Sequence, residues 1–172
     1  TLDGWLVIPN TLESGWIDLY HVPSQQRIIE SLGRQADIRS GTERPAIVMA
    51  LQICILRDIL WIVAGYEDGV LQAWTIPVST MEPTLVWTHK SHTESIMALS
   101  MSPTCDSVLS LGADYNIVRT ALHQEAVPHV QRIKRPGHAC ASVRWDERVC
   151  VLGGWDACAR VFTWPSLEPL AK

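Results

Sequence analysis

Three side chains in the middle of the chain have the chemical types of a hydrolase triad. Ser110 offers a hydroxyl, His92 an imidazole and Asp114 a carboxylate, the groups that act together in nucleophilic acyl transfer. The sequence around Ser110 contains neither a nucleophile elbow nor a glycine-rich oxyanion loop. We therefore interpret the three residues as polar groups that stabilise the fold, and we predict no catalytic residue.

A second set has the donor atoms of a zinc site. His138, Cys140, Cys150 and Cys158 are separated by one, nine and seven residues, without the closely spaced cysteine pair of structural zinc sites. Small cysteines also pack well in the interior of strands. We expect no metal here, and the odd number of cysteines, five, favours reduced thiols over a disulfide framework.

The adjacent carboxylates Glu67 and Asp68 could bind a metal or exchange protons. Gly69 follows them directly, and a tight turn explains all three residues without further assumptions. The sequence has no phosphate-binding loop and no dinucleotide fingerprint. We expect no cofactor and no small-molecule substrate.

Most of these residues lie in segments that repeat. Each segment has a short apolar strand, a tight turn that contains aspartate, and a second short strand. The segments are LWIVAGYEDGVLQAWTI (60–76), VLSLGADYNIVRTAL (108–122) and VCVLGGWDACARVFTW (149–164). Their turn residues Asp68, Asp114 and Asp156 are 46 and 42 residues apart. Strands repeated at this period are typical of β-propeller blades, so we predict an all-β propeller.

A weaker copy precedes these three, with strands indicated over 4–10 and 15–24. Further strands are indicated over 46–55, 96–101 and 139–145. Helical periodicity is nearly absent, and only 24–34 favours a turn or two of helix. The predicted units are 1–24, 46–78, 85–122 and 133–168, and the polar stretch 25–45 is predicted to be an extended or partly disordered connector.

Composition narrows the classes of partner. Hydrophobic residues make up 47% of the 172 residues and charged residues 19%, as in globular proteins. The net charge of −4 argues against direct binding to nucleic acid or to an anionic membrane. Among the eight tryptophans, we predict Trp74 and Trp164 in blade cores and Trp87 and Trp155 as candidate contacts for a protein partner.

Three stretches carry a family resemblance: AGYEDGVLQAW (64–74), HTESIMALSMSP (92–103) and GGWDACARVFTWPSLEPLA (153–171). With them the chain resembles WD-repeat proteins and, more narrowly, the ASTRA-associated protein 1 family of fungi with its animal relative, the G-protein-beta-subunit-like protein 1. Such proteins have about seven blades, so the resemblance implies that about four are represented in these 172 residues.

The WD-repeat resemblance also implies a structural role for particular polar residues. In such repeats a histidine ahead of the turn bonds to the turn aspartate and to hydroxyl and tryptophan partners. Here the network is expected to be partial, because the position that Trp74 has in the first copy is occupied by Thr120 in the second and by Phe162 in the third. The expected blade-stabilising residues are Asp68, Trp74, His92, Asp114, His138, Asp156 and Phe162.

The function that the resemblance implies is that of a non-enzymatic scaffold in the ASTRA complex. Its relatives work with the Tel2–Tti1–Tti2 co-chaperone and with AAA+ ATPases, in maturation of phosphatidylinositol-3-kinase-related kinases and in chromatin remodelling. Residence in nucleus and cytoplasm follows from the same resemblance. An alternative is a Gβ-like signalling propeller that binds a small helical partner.

Overall fold

The computed structural model describes residues 4–34, 45–123, 128–134, 137–144 and 146–171, without the side chains of Ala139, Cys140 and Ala171. Over these residues the chain forms 15 strands arranged in four antiparallel sheets. In each sheet, strands that follow one another in the chain are hydrogen-bonded neighbours. Four consecutive meanders of this kind are what a blade repeat predicts.

Sheet 1 has three described strands and the other sheets have four each. The strands of sheet 1 are β1 (Trp5–Pro9), β2 (Ile17–His21) and β3 (Gln26–Leu32). Those of sheet 2 are β4 (Val48–Leu56), β5 (Ile59–Tyr66), β6 (Val70–Pro77) and β7 (Thr84–Lys90). Those of sheet 3 are β8 (Ile96–Met101), β9 (Ser107–Gly112), β10 (Asn116–Ala121) and β11 (His129–Arg132). Those of sheet 4 are β12 (His138–Val143), β13 (Val149–Gly154), β14 (Ala159–Thr163) and β15 (Pro169–Ala171).

Neighbouring sheets are stacked face to face, and a hydrophobic cluster fills each of the three spaces between them. Strand β5 shows why the sequence has continuous apolar runs rather than simple alternation. Leu60 and Ile62 pack toward sheet 1, whereas Trp61 and Val63 pack toward sheet 3. A strand covered on both faces needs apolar residues at every position. Full burial of a side chain such as Val63 contributes about 1.5–3 kcal/mol.

The hairpin turns confirm the alignment of the three strong copies. The carboxylate of Asp68 accepts a hydrogen bond from the amide of Val70 at 3.0 Å. In sheets 3 and 4 the same bond joins each turn aspartate to the amide two residues further along: Asp114 to Asn116 at 2.9 Å, and Asp156 to Cys158 at 3.3 Å. A side chain that bonds its own backbone two residues on is the local device that makes aspartate a turn residue.

The stretch predicted as the connector 25–45 contains a strand that we missed. Gln26–Leu32 forms β3, which pairs with β2, so the helical turn expected near it does not form over these residues. Ile28 and Ile29 pack on the first hydrophobic cluster, while the glutamine, arginine and glutamate side chains face outward. This mixture is typical of an edge strand and looks like a loop in the sequence. Residues 35–44 of the connector lie outside the described residues.

The boundaries of the predicted units also differ from those of the sheets. Strand β7 (Thr84–Lys90) belongs with β4 to β6, although most of it was predicted to begin the unit 85–122. Strand β11 is the outer strand of sheet 3, although the predicted units left residues 123–132 outside every unit. The repeat was aligned on its central hairpin, and the polar outer strands carry little of the repeated pattern. The strands predicted near 46–55, 96–101 and 139–145 are confirmed as β4, β8 and β12.

No helix in the described ranges is long and apolar enough to cross a membrane.

Candidate functional site

The three residues with triad chemistry do meet in the structure, where sheet 3 adjoins the β7–β8 loop. The His92 ring nitrogen Nδ1 lies 3.0 Å from the Asp114 carboxylate, and Nε2 lies 2.9 Å from the Ser110 hydroxyl. Because an ionised carboxylate only accepts hydrogen bonds, Nδ1 donates to Asp114. In the neutral ring Nε2 is then an acceptor, and Ser110 donates to it.

Asp114 is the centre of this cluster. Besides His92, the backbone amides of Thr93 and Asn116 donate to its carboxylate at 3.0 and 2.9 Å, and the Asn116 side-chain amide donates at 3.1 Å. Burial alone would raise the pKa of Asp114, but the hydrogen bonds from His92, Asn116 and Thr93 lower it to about 2. The carboxylate is therefore ionised and fully bonded at neutral pH.

The cluster is closed to any substrate. The exposed fractions of Ser110, His92 and Asp114 are 0%, 2% and 4%. The ring of His92 also lies directly over Gly112, where an added Cβ would be 2.8 Å from Nδ1. A serine with no accessible surface cannot attack a carbonyl carbon. The hydrogen bonds of the cluster therefore stabilise the fold, because they connect the β7–β8 loop to the β9–β10 hairpin. Thr120, at the position of Trp74, is buried with no hydrogen-bond partner for its hydroxyl among the described residues.

In sheet 2 a tyrosine side chain takes the place that the His92 ring has in sheet 3. Tyr66 stands two residues before Asp68, as Gly112 stands before Asp114, and its hydroxyl donates to the Gln72 side chain at 2.9 Å. Tyr66 itself is buried and belongs to the first hydrophobic cluster. Trp74 is buried as predicted, but its indole N–H has no partner in the part of the chain that the structure describes.

Sheet 4 uses a third arrangement. The Arg160 guanidinium donates to both carboxylate oxygens of Asp156, at 3.0 and 2.5 Å, and lies over Gly154, where an added Cβ would be 2.6 Å from Nη1. Bidentate pairing of this kind is the strongest hydrogen bonding that arginine makes. Arg160 thus occupies the place that His92 takes in sheet 3.

His138 consequently differs from the expectation based on WD repeats. It is 1% exposed, yet neither ring nitrogen has a hydrogen-bond partner among the described residues. Arg160 holds the turn aspartate, and Leu152 stands where sheet 3 has Ser110, so both bonds of a blade histidine are lost. Burial lowers the pKa of His138, and the charge of Arg160 lowers it further, against smaller opposite effects of Asp156 and Asp114.

The two tryptophans predicted as partner contacts differ in exposure. Trp87 is 4% exposed and its indole N–H donates to the backbone carbonyl of Leu122 at 3.1 Å, between sheets 2 and 3. Its prediction as a surface contact is wrong, because β7 places the ring in the hydrophobic cluster between these two sheets. Trp155 is 59% exposed and its ring rests on Gly137, where an added Cβ would lie 2.2 Å from the indole.

Phe162 is buried in the third cluster, as predicted for a blade residue.

The described residues hold no group of three or more histidine, cysteine, aspartate or glutamate side chains suited to a metal ion. Cys150 is fully buried, and burial raises the pKa of its thiol to about 11. Cys158 is partly exposed beside the Asp156 turn, and the side chain of Cys140 lies outside the described part.

Tyr66 and Arg160 are the two stabilising side chains that the alignment of the repeated segments did not predict. One signal was available, since Gln72 and Arg160 both stand four residues after the turn aspartate, where sheet 3 has the apolar Val118. A long polar residue at that position reaches back to the turn.

Two solved structures share this architecture. A chain in the crystal structure of the mitotic checkpoint complex matches with a TM-score of 0.69 at 14% identity, over 91% of this chain and 45% of that one. The computationally designed Ika8 protein matches with a TM-score of 0.65 at 16% identity, over 92% and 43%. With the repeated turn geometry, these matches define the class: the chain has the fold of a WD-repeat β-propeller, with four blades represented.

Sequence comparison relates the chain to one group within that class. ASTRA-associated protein 1 of Verticillium alfalfae is 30% identical over 175 residues, 96% of this chain and 41% of that protein. Its namesake in Schizosaccharomyces japonicus is 25% identical, over 98% and 51%. The mouse guanine nucleotide-binding protein subunit beta-like protein 1 is 26% identical, over 97% and 50%.

The family resemblance found in the sequence motifs is therefore confirmed: the chain is a WD-repeat homologue of ASTRA-associated protein 1. It spans about half the length of the curated relatives it matches. No family model matches the chain.

Proposed function

We propose that this chain is part of a non-enzymatic WD-repeat scaffold that serves as a subunit of the ASTRA complex. The observation that carries the proposal is the relation, along nearly the whole chain, to proteins named for their association with ASTRA. The burial of the Ser110 triad supports a role in binding rather than in catalysis, because the polar chemistry is used to hold loops in place.

The proposal includes the setting that the family resemblance implies. The scaffold works with the Tel2–Tti1–Tti2 co-chaperone and AAA+ ATPases in maturation of phosphatidylinositol-3-kinase-related kinases and in chromatin remodelling. Its place of action is the nucleus and cytoplasm. It binds protein partners and contacts neither membrane nor nucleic acid directly, in keeping with the net charge of −4.

The loop end of the stacked sheets is the surface that we propose for binding. Backbone hydrogen bonds link its loops in series, from His92 to Gly69 at 3.1 Å, from Gly137 to Asp114 at 3.2 Å, and from Trp155 to Gly137 at 3.0 Å. Loops fixed in this way lose little conformational entropy when a partner binds. Trp155 is 59% exposed on this end and Tyr115 of the neighbouring turn is 44% exposed, and a rigidly seated indole is a typical anchor of protein interfaces.

The direct test is affinity capture of the full-length protein from its own cells, followed by identification of the bound proteins. Recovery of Tel2–Tti1–Tti2 subunits is the expected result. The name of the mouse relative favours a second candidate, a Gβ-like propeller with a small helical partner. Capture of a Gγ-like protein without the Tel2–Tti1–Tti2 subunits would contradict the first proposal and support the second.

A further inference from the structure

Two aromatic side chains are exposed on neighbouring turns of the loop end. Tyr115 follows the turn aspartate of sheet 3, and Trp155 precedes the turn aspartate of sheet 4. The Gly137 amide donates to the Asp114 carbonyl at 3.2 Å, and the Gly137 carbonyl accepts from the Trp155 amide at 3.0 Å. The two aromatic residues therefore belong to turns that are joined through Gly137.

Two exposed cations lie beside these turns. Arg132 is the last residue of β11, and its guanidinium carbon is 5.7 Å from the centre of the Tyr115 ring. The Tyr115 carbonyl accepts from the Ile133 amide at 2.8 Å, and the exposed Lys134 follows directly. Stacking fixes the plane of the guanidinium and leaves the N–H groups along its edge to bind a carboxylate. No carboxylate within the described ranges forms an ion pair with either cation.

The carboxylates of the two turns are bound within the protein. Asp114 is buried and accepts hydrogen bonds from His92 and from backbone amides. Both oxygens of Asp156 are held by Arg160. Three exposed acidic residues of the loop end are instead at or beside the turn of sheet 2, namely Glu67, Asp68 and Glu94. The loop end is thus divided into an acidic part at sheet 2 and a basic, aromatic part at sheets 3 and 4.

We propose that Tyr115, Arg132, Lys134 and Trp155 form an aromatic–basic patch that binds an acidic segment of a protein partner. The inference rests on the proposed function, in which the loop end binds proteins, and adds the chemistry of the bound segment. Aspartate or glutamate side chains of the segment pair with Arg132 and Lys134. A large apolar residue next to them packs on the indole of Trp155.

The charge of the protein gives this patch its selectivity. The net charge is −4, so an acidic segment is repelled by most of the surface and attracted where cations are concentrated. The patch is also prearranged, because the Trp155 ring rests on Gly137 and the Arg132 guanidinium on the Tyr115 ring. Side chains already held in place lose little rotamer freedom on binding. Tryptophan, tyrosine and arginine are the residue types most enriched in binding hot spots.

The test measures binding of two short synthetic peptides to the purified full-length protein by fluorescence anisotropy. The first peptide has one leucine between runs of aspartate and glutamate, and the second has asparagine and glutamine in place of the acids. We expect the acidic peptide to bind at least about five-fold more tightly. Its affinity should fall as salt rises from about 50 to about 300 mM, because exposed ion pairs are screened. Equal affinity for the two peptides, or no binding of either, would overturn the inference.

Charge variants place the binding on the patch. Arg132→Glu with Lys134→Glu should abolish the preference for the acidic peptide. Arg57→Glu with Arg148→Glu is the matched control, since it makes the same charge change at exposed arginines on the opposite end of the sheets. It should keep the preference, and loss of the preference in both double variants would contradict a local site.

Two further measurements keep the result interpretable. Lys134→Glu alone leaves the stacking of Arg132 on Tyr115 in place and should reduce the preference at least about two-fold, even where the double variant does not fold. A single-stranded oligonucleotide with the charge of the acidic peptide should bind more weakly than that peptide. Equal or tighter binding of the oligonucleotide would show general attraction of polyanions and overturn the inference.

Failure of this inference can be told apart from failure of the proposed function. If the unaltered protein captures Tel2–Tti1–Tti2 but does not prefer the acidic peptide, the inference is wrong and the proposed function stands. If the acidic peptide is preferred but those subunits are not captured, the patch is supported and the proposed function is wrong.

Discussion

Arg160 holds both carboxylate oxygens of Asp156, in the place where one sheet earlier a histidine holds the turn aspartate. In both arrangements a side-chain N–H donor holds the carboxylate of the hairpin turn. In sheet 4 a guanidinium binds both carboxylate oxygens, and His138 is left buried without a partner among the described residues. Variation at these turns therefore changes stability and its pH dependence, not catalysis.

The Arg160–Asp156 pair should be a strong local stabiliser. Arg160→Ala removes two charge-assisted hydrogen bonds made by a guanidinium whose side chain is 10% exposed, so we expect a loss of about 2 kcal/mol in the free energy of unfolding. Denaturant unfolding of the full-length protein measures it. Arg144→Ala is the control, because Arg144 pairs with Asp146 while half exposed and should cost well under about 1 kcal/mol. Equal losses in the two variants would show that the bidentate pair contributes no more than the exposed one.

Asp114 should govern stability in acid. Its pKa of about 2 lies below the ordinary 3.8, so the ionised form is favoured by folding. The resulting stability is fully present above about pH 4 and is lost as pH falls toward 2, by about 2 kcal/mol in total. Unfolding titrations between pH 5 and 2 should show this loss, and Asp114→Asn should flatten the curve. A variant with the same acid dependence as the unaltered protein would refute this role.

His138 should act at higher pH and through the opposite charge. Because its folded pKa is lowered, the protein favours neutral imidazole, and stability falls as pH drops through the unfolded value near 6.5. Arg160, Asp156 and Asp114 act on the ring electrostatically, and the positive charge of Arg160 opposes a second cation. His138→Leu should therefore reduce the fall in melting temperature between pH 7 and 5. An unchanged fall would mean that other groups cause it.

The central parts of each blade were predictable because their physics is local. The Asp68 and Asp114 turns repeat a bond of an aspartate to its own backbone, and the buried β5 follows from a continuous apolar run. Strands β3 and β7 were misread because an edge or outer strand mixes polar and apolar residues, as a loop does. Their place depends on partners that are distant in sequence.

The candidate site, too, was predictable from the sequence only in part. Ser110, His92 and Asp114 could be grouped from the sequence as a chemical set, but only their burial separates a structural cluster from a catalytic one. The sequence did not show that Arg160 takes the place of the histidine. Arg160 lies four residues after Asp156 and His138 lies 18 residues before it, and the two side chains compete for the same carboxylate. Which of the two wins depends on packing over Gly154.

The central claim is that the protein works by binding partners through the loop end of its sheets. The most direct measurement is quantitative affinity capture of the full-length protein carrying Trp155→Ala, beside the unaltered protein and the control Val130→Ala. Val130 is also about half exposed but lies on the outer strand β11. We predict that Trp155→Ala recovers at least about five-fold less Tel2–Tti1–Tti2, at an unchanged melting temperature, whereas Val130→Ala recovers the normal amount. Equal recovery by all three proteins would contradict the account.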